Sequence, residues 1–258
     1  MFKRISIFGY GVVCYAIFFA TFLYAVGFIG NFAVPRTLDG TPAMDFTTAL
    51  LIDLGLLGLF AIQHSVMARP AFKRWWTRLV PEPVERTTFV LFSSLALLLL
   101  YWQWQPMPDT VWSVTHPAGA IALQVAFWAG WGLALLSTFL INHFELFGLR
   151  QVYYRLRGMT LPQGQFRTPM LYRHVRHPLY LGLLLAFWAT PTMTMGHLLF
   201  AVATTGYILI GIQLEERDLV TAFGDRYRRY REQVSMLIPL PWRRHRYDEI
   251  SSADVDRL

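Results

Sequence analysis

Residues 172–182 read Tyr-Arg-His-Val-Arg-His-Pro-Leu-Tyr-Leu-Gly, and a long apolar run over residues 183–214 follows them. The run ends at the paired carboxylates of Glu215 and Glu216. Its length exceeds the roughly 20 residues that one helix needs to cross a bilayer. The stretch therefore predicts a membrane hairpin whose basic, aromatic start and acidic end return to the same face of the bilayer.

The composition indicates an integral membrane protein. Of the 258 residues, 55% are hydrophobic and only 15% are charged, whereas soluble domains carry about 25% charged residues. We expect an all-α fold, a polytopic membrane helical bundle. The net charge of +7 fits basic loops at a membrane surface better than a nucleic-acid partner. Cys14 is the single cysteine, which excludes an internal disulfide and a cysteine-rich metal site.

Hydropathy predicts six membrane spans and a C-terminal helix. The spans are placed at about residues 5–30, 46–67, 87–104, 118–141, 179–195 and 196–214. Of the 23 Lys and Arg residues, only Arg36 then lies opposite the termini, so both termini are predicted to be cytoplasmic. A five-span alternative would place the arginine-rich tail outside. We predict one domain, 1–258, with substrate-side helices at about 1–145 and a cofactor-binding part at about 146–242.

Polar residues collect at the predicted cytoplasmic ends of the spans. Spans two to four contribute His64, Arg86, Asn142, His143 and Glu145, and the last two contribute Arg176, His177, Glu215 and Glu216. Polar groups at membrane depth are costly and usually face a protein interior, so we expect one shared site. Asp53 lies deeper, eleven residues before His64 and on the same helix face. It is either a structural hydrogen-bond partner or part of the site lining.

The C-terminal stretch has a local physical logic. Pro178 suits the first turn of a helix and restricts His177 to extended backbone. Gly182 leaves room for another backbone or a flat ligand. Glu215 and Glu216 are expected at a helix C-terminus, where the helix dipole disfavours acidic groups. A cation should therefore compensate them, either a neighbouring arginine or the ammonium of a ligand.

Four features of the C-terminal part together resemble a known signature. They are the Arg-His-Pro-x-Tyr-x-Gly pattern of residues 176–182, the hairpin, the paired glutamates and the tyrosine-rich basic helix after them. The signature is that of the isoprenylcysteine carboxyl and phospholipid methyltransferases, membrane enzymes that bind S-adenosylmethionine. The resemblance implies a cofactor cleft formed by His177, Pro178, Tyr180, Leu181 and Gly182. The resemblance also implies that Glu215 and Glu216 hold the amino acid end of the cofactor. We also predict that Tyr172, His174, Arg176 and Tyr227 bind the cofactor.

The N-terminal half carries a narrower resemblance. The sequences Gln-His-Ser-Val-Met-Ala-Arg-Pro at 63–70, Trp-Trp-Thr-Arg at 75–78 and Asn-His-Phe-Glu-Leu-Phe-Gly at 142–148 are similar to those of bacterial methanethiol S-methyltransferases. This resemblance implies methyl transfer from S-adenosylmethionine to methanethiol, giving dimethyl sulfide and S-adenosylhomocysteine. The expected location is the cytoplasmic face of the inner membrane, with the lipid bilayer as partner and no obligate protein partner.

A small thiol is mostly protonated at neutral pH, because the pKa of even a cysteine thiol is about 8.5. We therefore expect a catalytic base, with His64 as the first candidate and His143 as the second. Asn142 and Arg86 are expected to orient or stabilise the thiolate. Asp53 or Glu145 is expected to fix the histidine tautomer.

Two alternatives stay open. The same fold could methylate an isoprenylcysteine or a phospholipid. A haem-binding membrane isomerase, with His64 and His143 as axial ligands, is a more distant possibility because it gives the paired glutamates no task.

Overall fold

The structure is a computed structural model that describes residues 1–162 and 166–239. Its helices are α1 (Phe2–Gly30), α2 (Phe46–Ala68), α3 (Pro70–Trp76), α4 (Glu82–Gln103), α5 (Pro117–Ile141), α6 (His143–Leu146), α7 (Leu149–Arg157), α8 (Pro178–Trp188), α9 (Met195–Phe223) and α10 (Asp225–Gln233). A 3-10 turn covers Met170–Arg173, and the antiparallel strands β1 (Thr110–Ser113) and β2 (Thr192–Thr194) pair with each other. Within these residues α1, α2, α4, α5 and α9 are long and apolar enough to span a membrane. The prediction of an all-α polytopic membrane fold is confirmed.

The first four predicted spans agree with α1, α2, α4 and α5, but the fifth is shorter than predicted. Helix α8 has 11 residues, which is about 16 Å of helix against the roughly 30 Å of a bilayer core. The backbone leaves the helix after Trp188 and forms β2 over Thr192–Thr194. Pro191 and the β-branched threonines beside it disfavour helix, so the predicted span over 179–195 is wrong at its end.

Helix α9 is longer than predicted and passes through the paired glutamates. It has 29 residues and ends at Phe223, nine residues beyond the predicted end at Leu214. The residues after Leu214 include good helix formers and no Gly or Pro. Gly224, with φ 58°, separates α9 from α10. Glu215 and Glu216 thus lie inside a helix, and their expected position at a helix C-terminus is wrong.

The described chain packs as two compact units. The first contains residues 1–124, 142–162 and 190–204, and the second contains residues 125–141, 166–189 and 205–239. Helices α1 to α4, α6, α7 and both strands belong to the first unit, and α8 and α10 belong to the second. The prediction of one domain stays a prediction, and residues 240–242 of its cofactor-binding part lie outside the described residues.

Two side-chain contacts align α2 and α4 in the first unit. His64 Nδ1 lies 3.0 Å from Ser93 Oγ. The backbone N–H of Gln105 donates to Asp53 Oδ1 at 2.9 Å. Asp53 lies eleven residues before His64, whereas its partner Gln105 lies twelve residues after Ser93, the partner of His64. The two helices therefore run antiparallel. Asp53 anchors one end of the pair and His64 the other.

A close helix crossing positions α8 in the second unit. A Cβ atom placed on Gly182 would lie 2.6 Å from the backbone nitrogen of Ala134, and one placed on Gly130 would lie 2.6 Å from that of Ala186. Each helix thus carries two small residues four positions apart, a pattern that lets membrane helices touch through their backbones. The space that Gly182 leaves is filled by another backbone, the first of its two expected uses.

This crossing predicts that Gly182→Ala destabilises the protein. The added methyl group meets the backbone of α5, and overpacking of this kind costs about 1–3 kcal/mol. A lower melting temperature of the purified protein in detergent would report the loss. Gly206→Ala is the matched control, because a Cβ there meets nothing within 4 Å. Equal melting temperatures for the two variants would contradict the crossing.

Candidate active site

The carboxylate of Glu216 is the centre of a polar cluster in the second unit. Its Oε1 accepts from Arg176 Nε at 2.7 Å and lies 3.1 Å from His177 Nε2. Arg231 Nη1 stands 3.9 Å from the other oxygen, Oε2. The side chains of Arg176, His177 and Glu216 are each at most 10% exposed. The start of the α8 segment and the paired glutamates of α9 therefore meet.

Arg176 also holds the chain that follows α10. Its Nη1 donates to the backbone carbonyl oxygens of Arg231, at 2.8 Å, and Val234. The backbone N–H of Arg176 donates to Ser235 O at 2.8 Å, and that of His177 donates to Met236 O at 3.1 Å. These bonds hold the guanidinium in one place against Glu216.

Glu215 has a different environment from Glu216. The Tyr180 hydroxyl donates to Glu215 Oε2 at 2.9 Å. Across the described chain, Glu215 Oε1 has no hydrogen-bond partner, and the residue is partly exposed. Glu216 is thus neutralised by side chains of the protein, whereas Glu215 retains an acceptor oxygen.

Three tyrosines pack beside these carboxylates. The hydroxyl of Tyr230 donates to the backbone oxygen of Tyr172, whose own hydroxyl donates to Ser137 O at 3.4 Å. Burial first, and then the charge of Glu215, raises the pKa of Tyr172. Burial and the charge of Glu216 likewise raise the pKa of Tyr227. Both phenols therefore stay protonated, and the buried Tyr227 hydroxyl has no hydrogen-bond partner among the described residues.

The other predicted cofactor residues lie near the start of α8. Pro178 is the first residue of that helix. The backbone N–H of Leu181 donates to His177 O at 3.1 Å. His174 ends the 3-10 turn Met170–Arg173, and Gly182 packs against α5. Their predicted roles toward a cofactor stay predictions.

His64, in the first unit, has a defined tautomer. Ser93 Oγ donates its single proton to Phe89 O at 3.0 Å, so it can only accept from His64 Nδ1, 3.0 Å away. Nδ1 therefore carries the hydrogen in the neutral ring, and Nε2 is the nitrogen that can take up a proton. The expected tautomer-fixing role of Asp53 or Glu145 is wrong for His64, because Ser93 fills it.

Arg86 brings a positive charge close to His64. Its guanidinium carbon lies 5.2 Å from the centre of the Phe89 ring, and the same ring lies 4.8 Å from the His64 ring. Arg86 Nε donates to Leu146 O at 2.7 Å, which ties it to α6. Met67, Phe89 and Val90 form an apolar cluster here, and Phe147 packs against them.

His143 and its neighbours form a second group in the first unit. His143 Nε2 lies 2.8 Å from the hydroxyl of Tyr15, and burial lowers the pKa of His143. Asn142 caps α6 and donates to Glu145 Oε2 at 2.7 Å. Arg150 Nη1 binds the same oxygen at 2.6 Å. Glu145 thus supports the loop after α5, and Asn142 is held by that loop.

Asp53 lies at the other end of α2 from His64. Eleven residues of helix separate them by about 16 Å. Asp53 is fully buried, and its Oδ1 accepts the backbone N–H of Gln105. Of the two expected roles, the structural one accounts for this position. The prediction that residues of both units form one shared site stays a prediction, because each cluster is described within its own unit.

Several residues that contact the predicted site residues were not predicted from the sequence. They are Tyr15, Phe89 and Ser93 in the first unit and Arg231 in the second. Arg231 had a usable signal, because it lies one helical turn beyond Tyr227 on the basic helix that was singled out. Ser93 and Tyr15 had none, since an isolated hydroxyl in an apolar helix usually bonds its own backbone.

The chain is similar over most of its length to proteins named methanethiol S-methyltransferase. The chain is 57% identical over 241 residues to the methanethiol S-methyltransferase of Mycobacterium tuberculosis, covering 93% of this chain and 99% of that protein. It is 53% identical over 252 residues to methanethiol S-methyltransferase 2 of Bradyrhizobium diazoefficiens, covering 98% and 97%. Nurim of Bos taurus is 34% identical over 182 residues, covering 66% and 68%. No family model and no solved structure matches the chain.

Proposed function

This chain belongs to the methanethiol S-methyltransferase family, and from that membership we propose that it methylates methanethiol. The methyl group of S-adenosylmethionine passes to the thiol sulfur, and the products are dimethyl sulfide, S-adenosylhomocysteine and one proton. The observation that carries the proposal is the 57% identity to a methanethiol S-methyltransferase that the alignment covers almost entirely. The polar clusters of the two units suit the two tasks of the reaction, which are holding a cationic methyl donor and deprotonating a thiol.

The Glu215 environment fits the methyl donor. S-adenosylmethionine carries an ammonium group and, when bound, supplies an electrophilic methyl on sulfonium sulfur. Glu215 Oε1 is an acceptor with no partner in the described part of the chain, and Tyr180 holds the other oxygen at 2.9 Å. We assign Glu215 to the ammonium, because a charge-assisted hydrogen bond is about twice as strong as a neutral one. The Tyr227 hydroxyl, which has no hydrogen-bond partner among the described residues, would be a donor for the cofactor carboxylate.

Glu216 has a positioning role in this proposal. Its charge is already compensated by Arg176 and His177, so it has little left to offer a ligand. Breaking a buried ion pair by removing one partner is strongly destabilising. Glu216 therefore holds the start of α8, and through it Tyr180, in the geometry that Glu215 needs. The two glutamates thus have different tasks, although they are adjacent.

His64 is assigned as the base that takes the thiol proton. Ser93 places the hydrogen of the neutral ring on Nδ1, so Nε2 is the nitrogen that would take up the thiol proton. The positive charge of Arg86 near the same aromatic ring favours a thiolate over a thiol. His143 and Asn142 are assigned to the support of this region. Asp53 anchors the far end of α2.

The chain is an integral membrane protein, and we assign it to the bacterial inner membrane with both termini in the cytoplasm. The basic loops support this orientation, because Lys and Arg gather on the cytoplasmic side. The reaction would then take place at the cytoplasmic face, where S-adenosylmethionine is made.

The direct test supplies purified protein with S-adenosylmethionine and one of three acceptors: methanethiol, a prenylated cysteine or phosphatidylethanolamine. Dimethyl sulfide in the headspace and S-adenosylhomocysteine in equal amount are expected with methanethiol alone, because the acceptor must be a small thiol. Protein without the acceptor is the control. Methylation of the prenylated cysteine or the lipid in place of methanethiol would contradict the proposed substrate.

Glu215→Gln and Glu216→Gln are expected to differ. Glu215→Gln should weaken S-adenosylhomocysteine binding about 10- to 100-fold, as the loss of a charged hydrogen bond of about 1.5–3 kcal/mol implies, with little change in melting temperature. Glu216→Gln should lower stability by about 3–5 kcal/mol, because Arg176 is left buried without its counter-charge. Calorimetric binding and thermal unfolding separate the two effects. Equal loss of binding at unchanged stability would contradict the assigned roles.

His64→Gln is expected to lower the rate of dimethyl sulfide formation about 10²–10⁴-fold at neutral pH, the range for loss of a general base. The deficit should shrink as the pH rises past the cysteine value of about 8.5 toward the higher pKa of methanethiol, because the thiol then ionises in water. His143→Gln is the matched control, with a smaller loss and no recovery at high pH. A deficit of His64→Gln that is constant with pH would remove His64 as the base.

A further inference from the structure

The segment of residues 69–80 joins the spanning helices α2 and α4 and includes α3. It reads Arg-Pro-Ala-Phe-Lys-Arg-Trp-Trp-Thr-Arg-Leu-Val and carries four basic side chains and no acidic one. Because α2 ends at Ala68 and α4 begins at Glu82, the segment lies where both helices reach the membrane surface. The proposed reaction gives this segment no task.

Aromatic rings form a continuous group in this segment. The Phe72 ring lies 5.4 Å from that of Trp75 and 5.8 Å from that of Trp76. Trp75 is 50% exposed and Leu79 is 65% exposed. Phe72 also packs against the apolar cluster at the end of α2. The group is therefore anchored on its inner side and presents an indole ring and a leucine outward.

Basic side chains are exposed beside the aromatic group. Arg74 and Arg78 are both exposed and four residues apart. The backbone keeps helical hydrogen bonds past the end of α3, from Thr77 N to Lys73 O at 2.9 Å and from Arg78 N to Trp75 O at 3.1 Å. Residues four apart lie on one face of such a turn, so the two guanidinium groups project from the same face. Glu82 and Glu85 follow only after α4 has begun.

We propose that segment 69–80 is a binding surface for the phosphate groups of anionic phospholipids. Tryptophan rings settle at the headgroup level of a bilayer, and basic side chains beside a membrane are attracted to anionic lipid. The exposed Trp75 and Leu79 match the acyl boundary, and Arg74 and Arg78 match the phosphates above it. A free phosphate ion would bind only Arg74 and Arg78, whereas a phospholipid would contact all four side chains, so a lipid fits the whole surface better.

The test uses the full chain in nanodiscs of phosphatidylcholine, with or without phosphatidylglycerol, at low salt. The melting temperature of the wild type is expected to rise when phosphatidylglycerol is present. In Arg74→Gln/Arg78→Gln the rise should fall to less than half, with no change in phosphatidylcholine alone. Arg74→Lys/Arg78→Lys should keep the rise, because the surface needs charge near the membrane. High salt should remove it through screening.

A matched control removes the same charge elsewhere in the first unit. Arg155→Gln/Arg157→Gln changes two exposed arginines of α7 and should keep the full rise. An equal loss in this control would reduce the effect to overall charge and overturn the assignment to segment 69–80. A wild type indifferent to phosphatidylglycerol, or one that inorganic phosphate stabilises equally, would overturn it too. None of these outcomes depends on methyl transfer.

Discussion

A buried negative charge near the end of a long membrane helix is the constraint on which the polar cluster of the second unit depends. Glu216 cannot lie inside the protein without a counter-charge, because removing an ion from water costs several kcal/mol even after the surroundings relax. Arg176 and His177 supply the compensation. Arg176 also binds the carbonyl groups at the end of α10, so this ion pair links the start of α8, the interior of α9 and the end of α10.

The adjacent glutamate gains its chemistry from this arrangement. Consecutive residues of an α-helix point about 100° apart, so Glu215 faces Tyr180 and not Arg176. The carboxylate of Glu216 is thus paired within the protein, and that of Glu215 keeps an oxygen that can accept a hydrogen bond from a ligand. The first unit uses the same principle at His64. The Ser93 hydroxyl donates to Phe89 O and accepts from one nitrogen of the His64 ring, which leaves the other nitrogen without a hydrogen in the neutral ring. In each place a hydrogen bond to one polar atom of the side chain distinguishes that atom from the other polar atom.

Much of the fold could be predicted from the sequence, because a hydrophobic run of bilayer length predicts a helix that spans the membrane. The first four spans and the return of residues 176–180 to the paired glutamates were predicted for this reason. The end of α8 and the extension of α9 were not, because hydropathy does not register how Pro191 and its neighbouring threonines end a helix, or how far a helix continues past an apolar run. The partners of Asp53 and Glu145 were also missed. Those contacts depend on how distant segments pack, and spacing along one helix does not reveal that.

The central claim is that Glu215 meets the methyl donor while Glu216 stays paired within the protein. An experimental structure of the full chain with bound S-adenosylhomocysteine tests it most directly. We expect the ligand ammonium within hydrogen-bonding distance of Glu215, with the bonds from Arg176 and His177 to Glu216 unchanged. A ligand whose ammonium binds Glu216 in place of Arg176, or one bound away from both glutamates, would contradict it.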